Sequence, residues 1–202
     1  MVNSRQLSEV VAGALDRPLT ATLQHARNLR EARGSEEGPI LSAGGRGRNA
    51  PAMTHEDAAA LLCAILGSEN VKDSIATVAS MRMLVANFHG QRGQGLGLFD
   101  TGIRPEHNVV AALAQVLQCF DREREFRERI FYHDYDLRDA QLYVLFEVQY
   151  PQHYAFITVG VRKKFKETWT YGRRGAPRNE QVRRIREVAL REIAQALRST
   201  DD

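Results

Sequence analysis

Apolar positions at helical spacing open the chain. In residues 4–15, Leu7, Val10, Val11, Ala14 and Leu15 fall on one face, and Asn3 or Ser4 can serve as N-cap. Asp16-Arg17-Pro18 ends this helix, because Pro18 disfavours a helical Arg17 and brings no amide hydrogen. A second helix is expected from about Leu19 to Arg33, with Leu19, Leu23, Ala26 and Leu29 inward. Its other face would carry Thr20, Thr22, Gln24, His25, Arg27, Asn28 and Arg30. After Gly34 the helical period disappears. Pro39–Ser42 and Ala50–Met53 can pair as a small hairpin around Gly44-Gly45-Arg46-Gly47-Arg48, with Pro51 confining it to an edge.

Further helices are predicted at Glu56–Leu66, at Ser74–Phe88 and at about Pro105–Phe120. The first is apolar nearly all round and starts at a Thr54/Asp57 capping signal. The run DREREFRER at 121–129 would continue the third as a solvated face of alternating charge. From about Ala140 the period changes from 3.6 to 2. QLYVLFEVQY and HYAFITVGV predict two strands joined at Pro151-Gln152, and KFKETWTYG predicts a third. Residues 179–197 then read as an amphipathic helix with Val182, Ile185, Val188, Ala189, Ile193 and Leu197 on one side. The predicted class is α+β: an N-terminal helix-turn-helix with a small β-wing, a helical middle, and a C-terminal antiparallel β-meander with a terminal helix. The corresponding segments are 1–54, 55–130 and 131–202.

Composition changes this picture little until charge is divided along the chain. The 202 residues carry a net charge of +3. Residues 1–53 contribute +2, residues 54–159 contribute −5 and residues 160–202 contribute +6. Two basic ends thus flank an acidic middle, which raises nucleic acid as a partner. No apolar run is long enough to span a membrane, and the start lacks a signal-peptide pattern. The expected location is the cytoplasm of a bacterial host. Cys63 and Cys119 lie in apolar helical patterns without metal-ligand spacing, as buried thiols would.

The first 54 residues combine a helix, a short break, a second helix exposing hydrogen-bonding residues, and a Gly-Arg turn. A helix fits the major groove, where Gln24, Arg27, Asn28 and Arg30 could read base edges. Thr20 and Thr22 lie where a helix N-terminus could meet a phosphate, and Arg46 and Arg48 could enter or straddle the minor groove. An ordinary helical hairpin with a solvated polar face stands as the alternative. The segments LSEVVAGAL, ATLQHARNLREARG and GGRGRNAPAMTHEDAAALL resemble winged helix-turn-helix domains of phage- and prophage-encoded proteins over about the first 70 residues. That resemblance implies a sequence-specific transcription regulator that binds double-stranded DNA as a homodimer. A standard winged domain has three helices before its wing, and here there are two. Either the Glu56–Leu66 helix supplies the missing packing or the domain is a reduced variant.

Other signals in the chain compete with this one. The stretch 162–178 interleaves Arg162, Lys163, Lys164, Lys166, Arg173, Arg174 and Arg178 with Phe165, Trp169 and Tyr171. It reads better as a strand with its aromatics in a core than as a second phosphate-binding patch. Gly93–Gly97 lacks the strand that precedes a dinucleotide loop. His133, Asp134, Asp136 and Asp139, with Glu147, could hold a divalent ion as nucleases do, but no Lys stands at the nearby spacing such sites use, and a solvated turn before the first strand is the better account. No catalytic residue, metal or cofactor is expected. The C-terminal module would serve dimerisation, through the terminal helix or the meander's edge, or would bind a protein partner, as in an inhibitor of a host defence system or an assembly factor.

Overall fold

The computed structural model describes residues 2–32, 39–42, 51–93, 101–121, 142–150, 154–161, 165–172 and 181–198. Helix α1 (Ser4–Ala14) begins where a reciprocal cap forms. Asn3 Oδ1 accepts from the Arg5 and Gln6 amides, each at 3.0 Å, and Gln6 Oε1 accepts from Asn3 N at 2.9 Å. After α1, Asp16 takes the left-handed conformation at φ 50°, and Pro18 leads directly into α2 (Leu19–Arg30). Helix α3 (His55–Gly67) starts at the expected Thr54/Asp57 box and is buried on every side from Asp57 onward, as its apolar circumference requires.

Gly67 closes α3 because α4 (Ser74–Met83) passes too near for a side chain. A Cβ there would lie 2.8 Å from Thr77 Cγ2 and 2.4 Å from Met81 Cε. The flexible Met81 tip can retreat, but the Thr77 methyl group cannot. We therefore expect Gly67→Ala to cost roughly 1–2 kcal/mol through overpacking, despite alanine's better helix propensity. A lowered denaturant midpoint with unchanged m-value would record it.

A short 3-10 turn, Val71–Asp73, precedes α4. The chain then departs from expectation. Instead of a helix to Phe88, α4 stops at Met83 and Ala86–Gly93 forms strand β1, paired antiparallel with β4 (Phe165–Tyr171). Strand pairing with a distant segment overrides the local helical spacing. Helix α5 (Val109–Asp121) starts after a turn at Pro105, with Asn108 Oδ1 accepting from Ala111 N at 2.9 Å.

Strands β2 (Leu142–Tyr150), β3 (Tyr154–Val161) and β4 form the predicted meander. The second departure follows. Residues Gln181–Arg186 are not the start of a helix but strand β5, and the terminal helix α6 occupies only Glu187–Arg198. β5 pairs antiparallel with β2, so the five-stranded order is β1-β4-β3-β2-β5. Both edges of the meander are thus covered within the chain. One sheet face carries Val144, Phe146, Val148, Ala155, Ile157, Trp169, Tyr171 and Ile185 into the core. As expected for 165–171, the aromatics Trp169 and Tyr171 face inward while Lys166 is exposed; the other basic residues of 162–178 lie outside the described residues.

One cluster of buried residues joins all of this, running from Val2 and Leu7 through α3 to Leu197. α1 packs on both α2 and α6, while α6 also packs on α5, β2 and β5. The apolar face of α6, with Leu190, Ile193, Ala194 and Leu197 buried, is therefore occupied inside the chain. Among the described residues no helix is long and apolar enough to cross a membrane.

Candidate nucleic-acid interface

The two N-terminal helices pack together through a tight four-residue connection. Leu15 N and Arg17 N bond back to Val11 O (3.0 Å) and Ala12 O (2.9 Å), and Asp16 takes the positive φ that such turns usually give to glycine. Helix α3 packs against α2 from within the fold, the role sought for a third helix.

Helix α2 sorts its polar residues into two groups. Thr20, Gln24, Arg27 and Arg30 are exposed. Gln24 Nε2 donates to Asn28 Oδ1 at 2.9 Å, and Arg27 Nε pairs with Glu31 Oε1 at 2.9 Å in the open. Exposed i,i+4 pairs of this kind are weak and exchange readily for an external partner. Arg30 has no ion pair among the described residues. The first turn of α2 carries no acidic residue, and no side chain caps it.

Three expected surface residues are placed differently. Thr22 is 1% exposed, and its hydroxyl donates to Pro18 O at 3.3 Å, so it cannot reach a phosphate. Asn28 is half-buried and donates from Nδ2 to Val71 O at 2.9 Å. His25 is not a groove residue but is 7% exposed, with Nδ1 2.8 Å from Ser74 Oγ. The Ser74 hydroxyl donates to Val71 O. Its one hydrogen is thereby used, so His25 Nδ1 is assigned as a donor to it, the reverse of a base activating a nucleophile. Burial, reinforced by the Arg183 guanidinium, pushes the His25 pKa down to about 4. His25 and Asn28, one turn apart, thus clip the underside of α2 to the 71–74 turn.

Arg183, which the helical spacing of 179–197 conceals, reaches from the sheet to the C-terminal carbonyls of α3. Its Nη1 donates to Ile65 O at 3.2 Å and also to Ser68 O. A cation there opposes the negative end of the helix dipole.

The expected wing does not form over its described parts. Residues 39–42 and 51–53 are not strands. Ile40 N donates to Leu29 O at 3.1 Å, satisfying a carbonyl that the end of α2 leaves over, and Met53 N donates to Val2 O at 2.9 Å. Leu41 and Met53 are drawn into the core, which fixes these segments to the helices rather than to each other. Asp57 ties them together. Its carboxylate accepts from Ser42 N (2.8 Å), Ser42 Oγ (2.9 Å), Thr54 N (2.8 Å) and Thr54 Oγ1 (2.9 Å). Arg46 and Arg48 lie outside the described residues.

Beside this anchor a cleft of about 860 Å³ opens between the start of α3 and α4, lined in part by Ile40, Glu56, Ile75, Arg82 and Met83. Arg82 and Glu56 pair across it at 3.3 Å. Ile75, Met83 and nearby Val85 are exposed.

The metal-binding possibility gains no geometry. Asp134, Asp136, Asp139 and His133 lie outside the described residues, and Glu147 is buried with Arg184 as its partner. Among the described residues no cluster of three His, Cys, Asp or Glu side chains could hold a metal ion. Cys63 is a buried free thiol whose pKa burial raises, and Cys119 Sγ donates to Thr101 O at 3.2 Å. No protein-family model, curated protein or solved structure matches this chain.

Proposed function

We propose that this chain is a phage- or prophage-type transcription regulator that binds duplex DNA, as a homodimer, through the exposed face of α2. The observation that carries the reading is the division of α2. Thr22, His25, Ala26 and Leu29 anchor it, while Thr20, Gln24, Arg27 and Arg30 remain available to a partner. The turn with left-handed Asp16 and the uncapped, acid-free first turn of α2 support the same use. Gln24 and the arginines carry hydrogen-bonding groups suited to base edges and phosphates, whereas Asn28 acts chiefly as a structural clip.

Arg27→Ala with Arg30→Ala is expected to weaken DNA binding roughly tenfold and to flatten its salt dependence by about two in log–log slope, one per lost phosphate contact. Gel-shift titrations across a salt series test this, with circular dichroism confirming that the variant is folded. Binding unaltered in both strength and slope would refute the assignment.

A second reading, a factor that binds a protein partner, draws on the cleft beside α4 and the exposed Ile75, Met83 and Val85. Retention on nonspecific duplex DNA at low salt separates the two, because only the first reading requires it.

A further inference from the structure

The fold brings the end of β5 beside the end of α1, where the connection to α2 begins. One cleft of about 500 Å³ is walled on one side by Gly13, Ala14 and Leu15 at the end of α1, and on the other by Arg184 and Arg186 of β5. Gly13–Leu15 lead into the turn from which α2 emerges, so this cleft flanks the N-terminal end of α2. Arg184 and Arg186 sit two residues apart on β5 and so share one face of the strand. Both are exposed. Arg184 is partly engaged by Glu147, although its side chain remains 57% exposed. Arg186 and the exposed turn residue Arg17 have no ion pair among the described residues.

Resting on the DNA-binding reading above, we infer that Arg186 and Arg17 contact the DNA backbone beside the groove entered by α2, so that β5 extends the footprint of the helix-turn-helix. The linear order of the chain conceals this. Leu15 and Arg186 are far apart in sequence, and the packing of α1 on α6, with the direct passage from β5 into α6, sets them in the walls of one cleft, with Arg17 two residues beyond Leu15 in the exposed turn. Unpaired guanidinium groups have no internal attachment to give up on meeting a phosphate. Glu187 and Glu192 line the α6 side of the same cleft. Their charge opposes a phosphate there, which confines the contact to the β5 and turn side.

The test is a comparison of salt slopes for duplex DNA binding by the full chain. Arg186→Ala should lower the slope of log K against log salt by about one while leaving discrimination between DNA sequences unchanged. Lys166→Ala removes the same charge from exposed β4, three strands away in the sheet, and should leave the slope unaltered. The inference is overturned if Arg186→Ala keeps the wild-type slope, or if Lys166→Ala lowers it equally, since net charge alone would then explain the effect. Were Arg186→Ala silent while the Arg27/Arg30 double variant lost binding, only this extension would fall. Were the wild-type chain not to bind duplex DNA, the reading beneath it would fall as well.

Discussion

Asp57→Ala should lower folding stability by about 3 kcal/mol, among the largest single losses expected for a polar position in this chain. The carboxylate is 4% exposed and accepts four hydrogen bonds, two of them from the backbone amides of Ser42 and Thr54. Its removal leaves these donors without a partner, at roughly 1–3 kcal/mol for each buried group left unsatisfied. The hydroxyls of Ser42 and Thr54 can turn elsewhere, but the amides cannot. The α3 cap is weakened too, because Thr54 Oγ1, which accepts from Asp57 N at 3.1 Å, loses the carboxylate that orients it. Asp57→Asn should lose about half as much, since one amide oxygen still accepts while its NH2 group faces donors. Urea unfolding measures both variants, and an alanine variant within about 0.5 kcal/mol of wild type would show that water replaces the carboxylate.

What could be foreseen in the sequence follows from where each segment finds its hydrogen bonds. Helices α1 and α3 announce themselves because their caps are local: Asn3 with Gln6, and Thr54 with Asp57. The meander is equally plain, since each strand pairs with its sequence neighbour and alternates apolar and polar positions. β1 and β5 are hidden because their partners are remote. β1 joins β4, some 80 residues on, and β5 joins β2, so helical spacing in Ser74–Phe88 and 179–197 outweighed any strand signal. Over its described parts the wing is replaced for a similar reason. Leu41 and Met53 carry the apolar pattern of a hairpin but spend it in the helical core.

The same rule divides the candidate interface. Exposure of Thr20, Gln24, Arg27 and Arg30 follows from helical periodicity alone. Burial of His25 and the engagement of Asn28 depend on Ser74 and Val71, 49 and 43 residues away, and no local pattern encodes them. Polar residues on a helix are read as solvent-facing by default. Here two of them form the underside instead, which narrows the face offered to a partner and fixes the helix that presents it.

That underside should make the fold sensitive to acid. His25 is neutral when folded, with a pKa near 4 against 6.5 in an unfolded chain, because burial penalises the cation and Arg183 repels it. Between these values the unfolded chain binds the extra proton, so stability rises with pH. This contribution is fully present above about pH 6.5 and is lost as pH falls toward 4, the loss reaching about 3 kcal/mol at the lower end. Protonation also places a charge at the junction that holds α2 to the 71–74 turn, so α2 should loosen before the sheet does. His25→Asn keeps a donor directed at Ser74 and removes the titration. Carboxylates titrate in both proteins over the lower part of this range, so the informative quantity is the difference between them. Denaturant midpoints from pH 7 to pH 4 should fall more steeply for wild type than for His25→Asn. Parallel curves would mean that His25 does not govern the acid response.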